Sequence, residues 1–363
     1  MSAALEAQNA TPDPTPGALG YRMPAEWEQH TATWIAWPHN ASDWPGKFQA
    51  IPWVYADIVR HLSRVEDVHI LVDDEAAEKR ANGILKRAGA NLRRVDFHQW
   101  PTDRVWTRDS GPIFIRKGGE QGPLAVTNWK FNAWAKYDNW QLDNQIPDHV
   151  AELLTLPQWT PMVGDHRVVL EGGSIDTNGA GVLLTTEECL LSEVQQRNPG
   201  LSRGDLEGVF HDYLGIDQVL WLNRGIAGDD THGHVDDITR FVGENKIVTV
   251  VEPNRDDKNH LPLAENLDRL KSARNLQGGS YEVVELPMPS PVIFEGQRLP
   301  ASYGNFYIAN DLVLMPTFND PQDRTALNIL ASLFPSREVV GIHCGDFIWG
   351  LGALHCMTQQ QPL

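Results

Sequence analysis

Residues 171–186 read EGGSIDTNGAGVLLTT. Glu171–Thr177 and Gly181–Thr186 are two extended runs around Asn178-Gly179. Asn-Gly between apolar runs is a strong hairpin signal, because both turn positions need a positive φ. A helical stretch, Gln195–Leu214, follows, and then a strand, Gln218–Leu222. This unit of hairpin, helix and strand recurs along the chain. Asp236–Val242 turns at Gly243-Glu244-Asn245 into Lys246–Val251, with Leu261–Asn275 and Glu282–Glu285 behind it. Ser302–Ala309 turns at Asn310-Asp311 into Leu312–Thr317, with Asp323–Phe334 and Glu338–Ile342 behind it. Upstream, Asp109–Ile115 turns at Lys117-Gly118-Gly119 into Leu124–Asn128.

The hairpins begin at 109, 171, 236 and 302, in steps of 62, 65 and 66. Leu351–Thr358 reads as the opening strand of one more unit, and the chain ends before its mate. The N-terminal strand Thr31–Trp37 supplies that mate. It leads into helix Ile51–Arg64, strand Asp67–Val72, helix Glu75–Ala88 and strand Asn91–Phe97, an α/β alternation. Five units whose ends complete each other point to a closed ring in one domain, residues 21–363, rather than an open doubly wound sheet. Met1–Gly20 is rich in Ala, Pro and Thr and is expected to be a disordered lead-in.

Such a ring brings the polar residues at the strand starts to one axis: Asp109, Glu171, His234 with Asp236, Asn305 and Cys356. Each has a plain structural reading when taken alone. Asp109 lies in TRDSGP, where Asp is ordinarily a cap or turn residue. Glu171 precedes a Gly pair that permits close approach or a bulge. A lone Cys is commonly an inert buried residue. His232-Gly233-His234-Val235-Asp236 suggests a metal, since imidazole and carboxylate suit Zn or Mn. It also suggests an acid–base His with a carboxylate on the same face of a strand. The second reading is preferred, because no other stretch offers a convincing further His cluster.

The 363 residues carry 30 basic and 48 acidic side chains, a net charge of -18. Such a surface disfavours nucleic acid and anionic membranes and would attract a small cation. Three widely spaced cysteines (Cys189, Cys344, Cys356) form neither a disulfide framework nor a metal knuckle, which fits a reducing cytoplasm. Thirteen tryptophans are available to wall a pocket. A thiol, an imidazole and several carboxylates converging in an acidic protein need an offsetting cation. A guanidinium pairs bidentately with carboxylates and leaves its carbon open to a thiolate. This favours guanidine hydrolysis over proteolysis.

Several stretches resemble the agmatine deiminases of the guanidine-modifying pentein superfamily, which also holds the bacterial-type peptidylarginine deiminases. They are MPAEWE from Met23, TRDSGP from Thr107, WKFNAW from Trp129, LEGGSID from Leu170, LLTTEECLL from Leu183, GDDTHGHVDDITRF from Gly228, NFYIAN from Asn305 and HCMTQQQP from His355. The resemblance implies a five-bladed α/β propeller and hydrolysis of agmatine to N-carbamoylputrescine and ammonia through an amidino-cysteine intermediate. It implies Cys356 as nucleophile, His234 as general acid and base, Asp109 and Asp236 as the guanidinium clamp, and Glu171 and Trp106 at the substrate. It implies no cofactor and no metal. The expected partner is a small cationic guanidine, not nucleic acid or membrane, with a homodimer left open. Three alternatives stand beside it: a deiminase of free or peptidyl arginine, a metal-dependent amidohydrolase, and a non-catalytic guanidine-binding protein. Leu351, Ala353 and Leu354 depart from the glycines and Asn that such proteins commonly carry before the His-Cys pair. A second pair, His343-Cys344, follows a unit-closing strand and reads as structural.

Overall fold

A computed structural model describes residues 14–363. Among them, four three- or four-stranded sheets repeat one pattern. A central strand takes its hairpin partner antiparallel and a later strand parallel. Val182–Thr186 pairs with Asp176–Thr177 and with Gln218–Leu222. Lys246–Val251 pairs with Thr239–Gly243 and Glu282–Pro287. Leu312–Thr317 pairs with Tyr307–Ala309 and Glu338–His343. Leu124–Thr127 pairs with Ile113–Lys117 and Gln158–Trp159, and Tyr21–Arg22 adds to the outer edge. A further sheet is made by both ends of the chain. His30–Ala36 receives Gln359–Pro362 antiparallel and Asp67–Leu71 parallel, and Val95–His98 extends it. The expected mating of the C-terminal strand with the N-terminal one is therefore present.

Parallel neighbours need a crossover, and the crossover is helical in each sheet. The helices are Ile51–Leu62, Ile146–Leu154, Arg203–Leu214, His260–Ser272 and Asp323–Leu333, with Glu75–Ala88 between the last two strands of the end-to-end sheet. Local chemistry sets their limits. Asp74 accepts from the Ala77 N–H at the start of Glu75–Ala88, and Gly89 closes it at φ 82. Ser202 and Asp205 form a capping box before Arg203–Leu214. That helix buries Leu206, Val209, Phe210 and Leu214, and Leu206→Ala would cost about 2–5 kcal/mol. The central strands are buried on both faces, as Val182–Thr186 shows at every position. No helix among the described residues is long and apolar enough to cross a membrane.

The differences from the sequence reading are systematic. Asp109 lies on a one-turn helix, Thr107–Ser110, and the strand starts at Ile113. Glu171 leads a 3-10 turn, Gly172–Ser174. His234 leads another, Val235–Asp237, so His234 and Asp236 do not share the face of a strand. Leu351–Thr358 is a turn segment, and the last strand is Gln359–Pro362. In each case a helical turn precedes the strand. These backbones are buried and must close their hydrogen bonds locally before a ladder begins. The helix expected from Gln195 starts at Arg203, because Gln195 has φ 47 and the capping box lies at Ser202.

The expected disorder of Met1–Gly20 is corrected at its end, while residues 1–13 lie outside the described residues. Pro16–Gly20 forms a turn docked on Arg203–Leu214, with Gly17 donating to the Asp212 carbonyl at 2.7 Å. A Cβ on Gly17 would stand 2.4 Å from the His211 carbonyl oxygen, so only glycine allows this contact.

Candidate active site

The turns that precede the strands meet in the interior. Gly173 lets them do so. A Cβ there would lie 2.6 Å from His234 Nδ1, 2.7 Å from Asp109 Oδ1 and 3.0 Å from Asp236 Oδ2. Gly172 is equally constrained, 2.2 Å from the Arg108 carbonyl oxygen. The Gly-Gly pair after Glu171 thus serves close packing of side chains that the chemistry needs together.

A cavity of about 260 Å³ opens onto this cluster, lined among others by Trp106, Asp109, Trp134, Leu351, Gly352 and Cys356. Asp43, Arg104 and Asp230 also border it. Trp106 packs on a glycine of the loop that carries Cys356: a Cβ at Gly352 would lie 2.6 Å from its ring. Gly350 is held the same way against Trp44, at 2.5 Å. Leu351 between them adopts φ 68, a conformation that costs a non-glycine residue about 1 kcal/mol.

Asp109 is buried. Its Oδ2 accepts from Trp134 Nε1 at 2.9 Å and its Oδ1 from the Gly173 N–H at 3.0 Å. Burial raises its pKa to about 6; the charges of Asp236 and Glu171 add to this and His234 opposes it. Glu171 is fully buried, and Arg197 Nε donates to its Oε1 at 3.0 Å. Burial alone would raise its pKa, but the Arg197 charge and His234 bring it down to about 2. His234 stands 3.7 Å from Asp109, 3.8 Å from Glu171 and 4.0 Å from Asp236. Burial opposes its charge, yet Asp109, with Cys189 and Glu171, raises its pKa well above the usual range. The surrounding carboxylates thus favour the protonated imidazole.

Asp236 is tied to the other side of the cluster. His355 Nδ1 lies 2.7 Å from Asp236 Oδ2, and His355 Nε2 lies 2.7 Å from Glu26 Oε2. Arg240 Nη2 donates to the same Glu26 oxygen at 2.8 Å, and Arg108 lies 3.4 Å from it. Despite burial, the hydrogen bond and charge of His355, then His234 and Arg240, hold Asp236 below its usual pKa. Its Oδ1 has no hydrogen-bond partner among the described residues.

Cys356 is buried. Asn305 Nδ2 lies 3.0 Å from its Sγ, and Asp236 Oδ2 lies 3.7 Å from it. Burial, then the charges of Asp236, Asp237 and Asp109, push the thiol well above its usual pKa, although the Ala353 N–H pulls it back. His234 has Asp109, Glu171 and Cys189 around it, and Cys356 has Asn305 and Asp236.

The six expected site residues are thus brought together from the whole length of the chain. Sequence reasoning missed Glu26, Trp134, Arg197 and Asp237, and it gave His355 no role. Glu26, Trp134, Asp237 and His355 were present only as charged or aromatic residues inside the quoted stretches, and Arg197 lies outside them. His232, the other His of His-x-His, has φ 67 and contacts Ser192 Oγ at 3.1 Å, away from the cluster. Two triplets bring metal-type ligand atoms within 4.8 Å: Glu171, Cys189 and His234, and Asp236, Asp237 and Cys356. The Arg197 guanidinium on Glu171 weighs against a metal cation at the first.

The sequence model of a family described as Porphyromonas-type peptidyl-arginine deiminase matches residues 22–362. The chain is 34% identical to an agmatine deiminase from Pseudomonas aeruginosa (strain LESB58), over 97% of this chain and 98% of the relative. It is also 34% identical to an agmatine deiminase from Pseudomonas syringae pv. tomato, over 96% and 97%. Among solved structures, the agmatine deiminase of Enterococcus faecalis superposes with a TM-score of 0.87 at 28% identity, covering 96% of this chain and 98% of the other. A Cys-to-Ser agmatine deiminase from C. jejuni with substrate bound superposes at 0.83 with 28% identity, covering 94% and 96%.

Proposed function

The chain belongs to the Porphyromonas-type peptidyl-arginine deiminase family, and from that premise we propose that it is an agmatine deiminase, converting agmatine and water to N-carbamoylputrescine and ammonia. The observation that carries this is the cavity floor. Cys356 and Asp109 face the cavity, with Asp236 Oδ2 3.7 Å from the Cys356 sulfur and His234 3.7 Å from Asp109. Two carboxylates beside one thiol suit a planar cation whose carbon takes the attack. We read the sheets as five blades of a pseudo-fivefold ring, with the chain ends sharing one blade.

In the proposed reaction, Asp109 and Asp236 clamp the guanidinium, and Glu171 and Trp106 border it. The docked cation offsets the carboxylates that hold the thiol neutral, so Cys356 gives its proton to solvent water through the cavity and adds as thiolate to the guanidinium carbon. The protonated His234 gives its proton to the departing nitrogen, the C–N bond breaks, and ammonia leaves an amidino-thioether. The now neutral His234 takes a proton from water, whose oxygen adds to the same carbon. The C–S bond then breaks and the carbamoyl product leaves. No step calls for a metal or cofactor. The product class places the reaction in putrescine biosynthesis, and the cytoplasm is the proposed location.

A second reading, deimination of arginine or peptidyl-arginine, draws on Arg104 at the cavity, since those substrates bring a carboxylate or peptide group. Arg104 is engaged by Asp43 at 3.1 Å and Asn139 at 3.2 Å, which favours agmatine. An ammonia-release screen with agmatine, arginine and a peptidyl-arginine decides. Agmatine is expected to be the substrate turned over; release from arginine alone would transfer the assignment to the second reading.

A further inference from the structure

His69 and His98 are 29 residues apart in the chain, and the sheet made by the chain ends sets them side by side. Asp67–Leu71 and Val95–His98 are its outer parallel strands, with Asp96 level with His69 and His98 level with Leu71. Residues two apart on a strand share a face, so His69, Asp96 and His98 stand together. Trp34, level with His69 on the next strand in, joins them. His69 Nδ1 lies 3.0 Å from His98 Nε2, and neither ring has another hydrogen-bond partner among the described residues. By contrast, His30 and His260 meet backbone carbonyls, His166 an amide oxygen and His355 two carboxylates. Tryptophans fix the planes of the pair. Trp34 stacks on His69 with ring centres 4.1 Å apart and on His98 at 5.2 Å, and Trp100 stacks on His98 at 4.8 Å. Stacking occupies the ring faces and leaves the nitrogens to meet at the edges.

Two imidazole nitrogens 3.0 Å apart have the spacing of adjacent ligands on one metal ion. With metal–nitrogen bonds of about 2.0–2.1 Å, that spacing gives an angle of about 90° at the metal. Ni2+ and Cu2+ favour this angle with imidazole in tetragonal geometry, whereas tetrahedral zinc would want the rings a few tenths of an ångström wider apart. We propose that His69 and His98 form a binding site for a divalent late first-row transition ion of the Ni2+ or Cu2+ kind, outside the Cys356 cavity. Binding needs no net loss of protons. In the hydrogen-bonded pair one ring donates from its facing nitrogen. On the metal that ring carries its proton on the other nitrogen, and in neither ring is that other nitrogen a buried atom without a partner. Asp96 on the same face is exposed, and its carboxylate can turn to the ion as a further ligand. The ion would tie the two outer strands together beside Trp34. The Trp34 carbonyl in turn accepts from Thr107 Oγ1 at 3.1 Å, on the turn that carries Asp109.

The test is titration of the full chain with nickel sulfate at neutral pH, read by calorimetry, by melting curves and by tryptophan emission. Wild type should take up one Ni2+ at the pair and melt several degrees higher when saturated. Its emission should fall as the paramagnetic ion quenches Trp34 and Trp100. Each ring holds the ion at high effective concentration for the other, so His69→Ala and His98→Ala should each weaken uptake by about tenfold or more. Both should also lose the quenching. His343→Ala removes an exposed histidine outside the pair and should keep the wild-type curve. Cys356→Ser should keep it too, which separates the pair from the triplet of Asp236, Asp237 and Cys356. The proposal is overturned if wild type takes up no nickel, if the two pair variants bind and quench as wild type does, or if His343→Ala or Cys356→Ser loses as much. Should alanine at either position unfold the chain, His69→Gln and His98→Gln keep a polar side chain of similar bulk and carry the test. None of these readouts needs agmatine, so they stand apart from the proposed activity.

Discussion

His343-Cys344 and His355-Cys356 are the same dipeptide in two settings. His343 ends the strand Glu338–His343 and is exposed, while Cys344 is buried in apolar core and donates its N–H to the Thr317 carbonyl. His355-Cys356 lies on a turn, with the imidazole between two carboxylates and the sulfur under an amide. Both thiols are raised by burial. What separates them is what lies within about 4 Å. Around Cys344 there is hydrocarbon to exclude water. Around Cys356 there are donors, carboxylates and a cavity that a cation can enter. Reactivity belongs to the neighbourhood rather than to the dipeptide.

The sharpest way to break the comparison is at sulfur. Cys356→Ser should abolish ammonia release while the melting curve is kept. Cys344→Ser should retain turnover but lose about 1–3 kcal/mol of stability, from a hydroxyl left in apolar core. Near wild-type turnover by the first variant would remove Cys356 as nucleophile.

A smaller contrast is expected at the imidazoles. His355→Ala leaves Glu26 and Asp236 without the group between them and should cost about 3–5 kcal/mol, with kcat/KM reduced as Asp236 loses its orientation. His343→Ala should stay within about 0.5 kcal/mol, as for other exposed positions. Equal melting temperatures for the two would refute the structural role given to the Glu26–His355–Asp236 chain.

The smallest effect is one of pH and concerns Asp109, a group of the Cys356 cavity. Burial puts its pKa at about 6, so this carboxylate, the proposed guanidinium partner, loses charge as pH falls through that value. The free-enzyme kcat/KM for agmatine should then decline, with Asp109→Asn lower throughout and without that limb. Stability runs the other way. A raised carboxyl favours the fold while protonated, and that contribution is lost as pH rises through about 6. Asp109→Asn should therefore lack this slope, and it should melt lower than wild type, because its amide nitrogen must face the Trp134 or the Gly173 N–H that the carboxylate accepts from. Glu171, held at about 2, stays ionised across this window and adds no slope.

The repeat was legible because its signals are local. Asn178-Gly179 needs no partner to declare a turn, and Glu75–Ala88 was bounded correctly by its own cap residues. The members of the site were legible too, since Asp109, Glu171, His234, Asp236 and Cys356 open successive units. Their backbone was not. Asp109 and Asp236 sit on helical turns, Glu171 and His234 lead such turns and Cys356 lies on a hydrogen-bonded turn, and alternation along the flanking strand carries past these turns without marking them.

The sequence by itself determined the units, the order of their strands and which polar residues stand at their mouths, because turn chemistry and hydrophobic period act over a few residues. Tertiary structure alone decided which charges answer which. Arg197 on Glu171, His355 between Glu26 and Asp236, and Asn305 on Cys356 join residues far apart in the chain. The physical reason is that electrostatic work in a buried site depends on distance and desolvation, and both exist only once the sheets have packed together.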